Sequence, residues 1–146
     1  MRRLLPVTLT WLALNGLPVA FAQAELLVIV HPSNPVGDLK RHQVVDIYMG
    51  RRLSFADGRL AFPVDQAPDS PARQAFYQRL IGKTVAQVNA YWARLLFTGR
   101  ATPPRVLPSP TAVLRAVQEN PQAIAYIEAR YLETAEVPPK IVYRVE

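Results

Sequence analysis

The chain has no cysteine among its 146 residues, which excludes disulfides, thiolate metal sites and a cysteine nucleophile. Histidine is almost as scarce. His31 and His42 are the two present, and neither has a second ligand-type residue at metal spacing, so no metal centre is expected. Nucleophile elbow, glycine-rich phosphate loop, HExxH and paired-carboxylate signatures are all missing, so the sequence gives catalysis no carrier and no cofactor a motif. There is no internal repeat and no low-complexity linker. The Pro pairs at 103–104 and 138–139 are too short to separate domains.

An apolar run is present in one place. Arg2-Arg3 precede LLPVTLTWLALNGLPVAFA, which ends in small residues spaced A-x-A at Ala20/Ala22 and Ala22/Ala24. This is the layout of a secretory signal peptide over residues 1–24, cleaved before Gln23 or Glu25. A membrane anchor is the alternative, but Pro6, Asn15, Gly16 and Pro18 interrupt the run. No later segment approaches the roughly 20 apolar residues of a span. Cleavage before Glu25 leaves 122 residues, enough for one domain, with the net charge lowered from +6 to +4. Of the 17 basic residues only three are lysine, and the arginines are scattered, so the charge marks no nucleic-acid patch. Export to the periplasm argues against nucleic acid as a partner as well.

Start and stop signals order the rest. Glu25–His31 (ELLVIVH) is a short aliphatic run before the turn-rich PSNPVG and reads as a buried strand. Leu39, Val44, Ile47 and Tyr48 recur at helical spacing, predicting a helix from about Lys40 to Met49 that Gly50 ends. A turn at Asp57-Gly58 leads to a strand over Leu60–Asp65, whose Pro63 argues for an edge or a bulge. Ser70-Pro71 opens a helix that Gly82 closes. Thr84 and Gln87 form a capping box for a third, with Val85, Val88, Trp92, Leu95 and Leu96 as its apolar stripe. Tyr91, Trp92 and Phe97 on that helix suit either a ligand platform or the core, and their place on or near the stripe assigns them to the core. Arg100–Pro108 reads as a Pro-rich connector, Ser109-Pro110 as a fourth helix start, and Asn120-Pro121 as its stop. Residues 123–127 and 140–145 favour strand. Strands interleaved with helices imply an α/β sheet.

Four strings, IVHPSNPVGDL, VVDIYMG through LAFPVD, AYWARLLFTGRATPPR and NPQAIAYI, occur in an order that resembles the C-terminal lobe of phosphate-type periplasmic (type II) substrate-binding proteins of ABC transporters. The resemblance spans roughly Leu26–Ile127 and implies a single-lobe α/β domain at 25–146, a mixed sheet flanked by helices. It also places Ser or Thr where Lys40 stands, leaving Asp38 as the expected cap of the first helix.

In that family an Arg at the strand end and a Ser-Gly-Thr at the following helix start hold the oxyanion. The equivalent stretch here is DQAPDSPAR, Asp65–Arg73. The resemblance makes Ser70, the Ala72 amide and Arg73 the candidate anion contacts, since helix N-termini offer free N–H groups and positive dipole ends. Asp65 stands at the Arg position. Pro71 removes a donor, and Asp65 with Asp69 places negative charge at the site, so an Asp65→Arg change is expected to improve binding. The plain alternative is that Ser70 is only a helix cap and Asp69 an acid that complements the dipole. Two functions follow: a protein-interaction or sensory subunit with a degenerate anion site, its partner an envelope protein or a second copy, or a small-oxyanion module completed by a second lobe or partner.

Overall fold

The computed structural model describes residues 23–146, so the expected signal peptide lies almost wholly outside the described residues. Five strands and four helices follow in the order β1 (Leu26–Val30), α1 (Arg41–Tyr48), β2 (Phe62–Gln66), α2 (Pro71–Ile81), α3 (Val85–Phe97), β3 (Arg105–Leu107), α4 (Pro110–Glu119), β4 (Ala123–Glu128) and β5 (Lys140–Val145), with a 3-10 turn at Ala129–Thr134. The strands form one mixed sheet in the order β3-β2-β4-β1-β5. β2 runs parallel to β3 and β4, while β1 is antiparallel to β4 and β5.

Strand alternation decides which face each side chain feeds. Leu26, Val28 and Val30 of β1 join Ile124 and Tyr126 of β4 in a cluster with α1, α2 and α3. Leu27 and Ile29 join Ala123, Ala125 and Ile127 beneath α4 on the other face. Both faces are therefore covered, and the continuous apolar runs of β1 and β4 are the sequence trace of that double burial. The expected single-lobe α/β architecture, with a mixed sheet flanked by helices, is the one observed.

Three local readings are corrected. The Asp38 cap does not form: Lys40 is the N-cap, and the Gln43 Oε1 takes the Lys40 amide at 2.8 Å. Pro63 lies in neither an edge strand nor a bulge, because β2 sits between β3 and β4. Its ring is accommodated because β3 pairs only with Val64–Gln66, so Pro63 has no neighbour on that side to receive an N–H. The supposed connector after Arg100 contains β3, a three-residue edge strand too short to show a period.

The third helix is capped as expected, with Thr84 Oγ1 accepting from the Gln87 amide at 3.2 Å and Gln87 Oε1 from the Thr84 amide at 3.0 Å. Its inner face is narrower than the stripe implied. Val88 and Trp92 are buried, but Leu96 is 53% and Phe97 95% exposed, which removes Phe97 from the core. In its last turn Leu95 still packs against the core cluster, while Leu96 and Phe97 stand uncovered.

Candidate functional site

The strand-to-helix junctions after β2 and β3 lie side by side, because the two strands are parallel neighbours. Both following helices open with Ser-Pro. Ser70 Oγ accepts from the Arg73 amide at 3.3 Å, and Ser109 Oγ from the Ala112 amide at 3.1 Å. Between the two caps is a cavity of about 500 Å³, lined by Ser70, Pro71, Ala72, Ser109, Pro110 and Tyr131, among others.

Of the four sequence candidates, Ser70 and Ala72 face this cavity, and Asp65 and Arg73 do not line it. Asp65 is 2% and Arg73 6% exposed. They pair in the interior, Arg73 Nε lying 3.6 Å from Asp65 Oδ2, too long for a hydrogen bond but close enough for strong attraction at this depth. The Asp65 carboxylate accepts from the Tyr77 hydroxyl at 2.6 Å, from the Gln66 amide at 2.8 Å and from the Tyr126 hydroxyl. The Arg73 fork donates to the Gln66 carbonyl at 3.1 Å and to Asn89 Oδ1 at 3.0 Å. Asp65 therefore sits behind the site, enclosed by partners, and does not face an anion in it.

The tyrosines around Asp65 are shaped by packing as much as by polarity. Phe76 and Tyr126 stack with centroids 3.9 Å apart, and Tyr48 meets Phe76 edge-on at 4.8 Å. Burial first, and the Asp65 charge second, push the hydroxyls of Tyr48, Tyr77 and Tyr126 well above the usual tyrosine range. All three are held as neutral donors. The Tyr48 hydroxyl lies 2.9 Å from the Val64 carbonyl and 3.2 Å from that of Ile124, one proton shared between the two strands it bridges.

The α2 side of the cavity is nearly spent in hydrogen-bonding terms. Ser70 Oγ donates to Gln66 Oε1 at 2.9 Å, and the Gln66 side-chain nitrogen donates to the Tyr126 carbonyl at 2.9 Å. With Pro71 lacking a donor and the Arg73 amide taken by Ser70, the Ala72 amide is the first-turn donor of α2 left for a ligand. Two basic residues, Arg79 and Arg130, line the cavity, and so do two acids, Asp69 and Glu128. Arg79 donates to the Ala24 carbonyl at 2.8 Å, while Arg130 pairs with Glu128 at 3.0 Å and lies over the Tyr131 ring.

Sequence reasoning missed Ser109, Arg79 and Arg130 as neighbours of Ser70. The repeated Ser-Pro doublet at 70–71 and 109–110 was the available signal for Ser109. Nothing local marks Arg130, which reaches the cavity only because β4 ends beside the two junctions.

No family model matches this chain, and no curated protein matches it. Solved structures do. An ABC-type phosphate transport receptor from Vibrio cholerae is similar over 82% of this chain and 45% of the receptor, at 20% identity and a TM-score of 0.62. A putative phosphate ABC transporter substrate-binding protein from Clostridium perfringens, solved with bound phosphate, is similar over 82% of this chain and 44% of its own, at 22% identity and a TM-score of 0.63. The fold is that of one lobe of a phosphate-type binding protein. A possible phosphate binding protein from Planctomyces limnophilus gives the same picture at 12% identity, a TM-score of 0.58, and coverage of 82% and 40%. This chain spans less than half the length of each of these structures. At such identities the likeness is one of fold, and the lobe's ligand chemistry rests on its own residues.

Proposed function

We infer that this lobe is an exported, periplasmic, non-catalytic binding domain that works through protein contact, as an interaction or sensory subunit, around a degenerate anion site. The observation that carries the reading is the fate of Arg73. Its guanidinium is turned into the interior and neutralised by Asp65, when an anion-binding lobe needs that charge facing the cleft. The cavity's two remaining cations are balanced by two acids, so it holds no excess positive charge. The Ser70 hydroxyl is committed on both sides. No helix among the described residues is long and apolar enough to cross a membrane, which fits a domain released after export.

The test is a thermal melt in phosphate and in sulfate against chloride at matched ionic strength. A ligand present at a hundredfold its dissociation constant adds about 2.7 kcal/mol to stability. The expected result is a gain of at most about 1.4 kcal/mol over the chloride control at 10 mM anion, roughly ten times a millimolar constant; a rise of several degrees at 1 mM phosphate contradicts the reading.

A second reading, a small-oxyanion module completed by another lobe or partner, is favoured by one feature: two helix N-termini meet at one cavity. It requires a donor from outside the chain to supply the missing positive charge. Its signature is phosphate binding that appears only in a complex.

A further inference from the structure

The opposite end of the sheet carries a larger groove, of about 710 Å³, at the starts of β2 and β3, against α4 and the side chains of Leu53 and Leu60. Its cause is the brevity of β3. Pairing of β3 with β2 begins at Val64↔Arg105, so Phe62 and Pro63, paired with β4 on one side, have no strand on the other, and the space a longer β3 would fill stays open. The small side chains Ala112 and Ala116 of α4 keep it deep. Leu53, Leu60 and Phe62 stand around it at 53%, 54% and 46% exposure. Single exposed apolar residues need no explanation, but three around one groove do.

Charge makes the groove specific. Arg105 and Arg115 line it, both exposed, and neither takes part in an ion pair among the described residues. Glu119 is the one acid in the lining. The outer edge of β3 is unpaired and Val106 on it is 48% exposed, so an extended backbone has an edge to follow beside the groove.

The geometry points to this groove as the docking site for an extended segment of a partner protein in which apolar side chains flank a carboxylate. The apolar residues fill the volume between Leu53, Leu60 and Phe62, and the carboxylate meets Arg105 and Arg115 in charge-assisted hydrogen bonds. The inference rests on the interaction reading above and names the surface and the chemistry of the partner.

The probe is a phage-displayed library of random heptapeptides selected on the immobilised exported protein, with the best sequence resynthesised for fluorescence anisotropy. Enriched peptides should carry Asp or Glu beside Leu, Ile, Val or Phe. Leu60→Asp and Arg115→Glu should each weaken binding at least tenfold while circular dichroism shows an unchanged fold, since both side chains are exposed. Replacing the peptide's acid by Lys should restore binding to Arg115→Glu and abolish it for wild type. Peptide binding lost on Phe97→Ser but kept in the groove variants overturns the groove and leaves the interaction reading standing. Enrichment of no peptide overturns both. Flotation on phosphatidylglycerol vesicles that Leu60→Asp abolishes would assign the groove to lipid, and a sedimenting dimer that Leu60→Asp dissociates would assign it to a second copy; either overturns the peptide proposal.

Discussion

Asp65 is the residue on which the functional reading turns, and its surroundings make quantitative demands. Two tyrosine hydroxyls donate to its carboxylate in the interior. Hydrogen bonds to charged groups contribute about 1.5–3 kcal/mol, so Tyr77→Phe and Tyr126→Phe should each lower the urea-unfolding free energy by that much. A loss below about 0.5 kcal/mol from both would mean that the network is solvated. Asp65→Arg, which sequence reasoning expected to improve anion binding, meets a different environment: it buries a second guanidinium beside Arg73 and strands both tyrosine donors. Removing one partner of a buried pair costs about 3–5 kcal/mol, and a like charge in its place costs more, so this variant should fail to fold rather than bind. The tyrosines also set an alkaline limit. Their folded-state pKa lies above the unfolded value of 10.0, so the stability they contribute is fully present below that pH and is lost as pH rises beyond it. Unfolding free energy should fall steadily above about pH 10 in wild type and less steeply in Tyr126→Phe. Equal slopes would contradict the burial of Tyr126 as a neutral donor.

Among the elements, α3 separates what periodicity conveys from what it cannot. Trp92 is buried against the αL residue Gly50, where an added Cβ would lie 2.7 Å from the indole at a φ of 70°. Trp92→Ala should cost about 3–5 kcal/mol by chemical denaturation, and Phe97→Ser, at 95% exposure, should stay within about 0.5 kcal/mol of wild type. Equal effects would mean that the last turn of the helix is covered. Capping signals at Ser70, Thr84, Gly82 and Ser109 located helix ends to the residue, because caps are local chemistry. The stripe through Leu96 and Phe97 misled because amphipathicity reports which side is apolar and not how far the covering layer extends. β3 was illegible for the opposite reason: three residues held by their neighbour β2 carry no period of their own. At the site, Ser70 and Ala72 were legible as a helix N-terminus. The inward turn of Arg73 was not, since it depends on Asp65, the Gln66 carbonyl and Asn89, which are drawn together only by the packed fold.

Taken whole, the lobe has two unlike ends. At the C-terminal ends of β2 and β3 the cavity's basic and acidic residues are equal in number and the Ser70 hydroxyl is committed, although the topology there suits an anion. At their N-terminal ends a short edge strand leaves apolar side chains open, with two arginines that form no ion pair among the described residues. The backbone resembles one lobe of phosphate-type binding proteins, and on the reading proposed above the paired groups at one end stabilise the fold while the opposite end is the surface offered to a partner. The direct measurement is isothermal titration of phosphate into the exported protein at low ionic strength, where anion attraction is greatest. The account predicts a dissociation constant no tighter than millimolar, about −4 kcal/mol. A micromolar constant, about −8 kcal/mol, would contradict it.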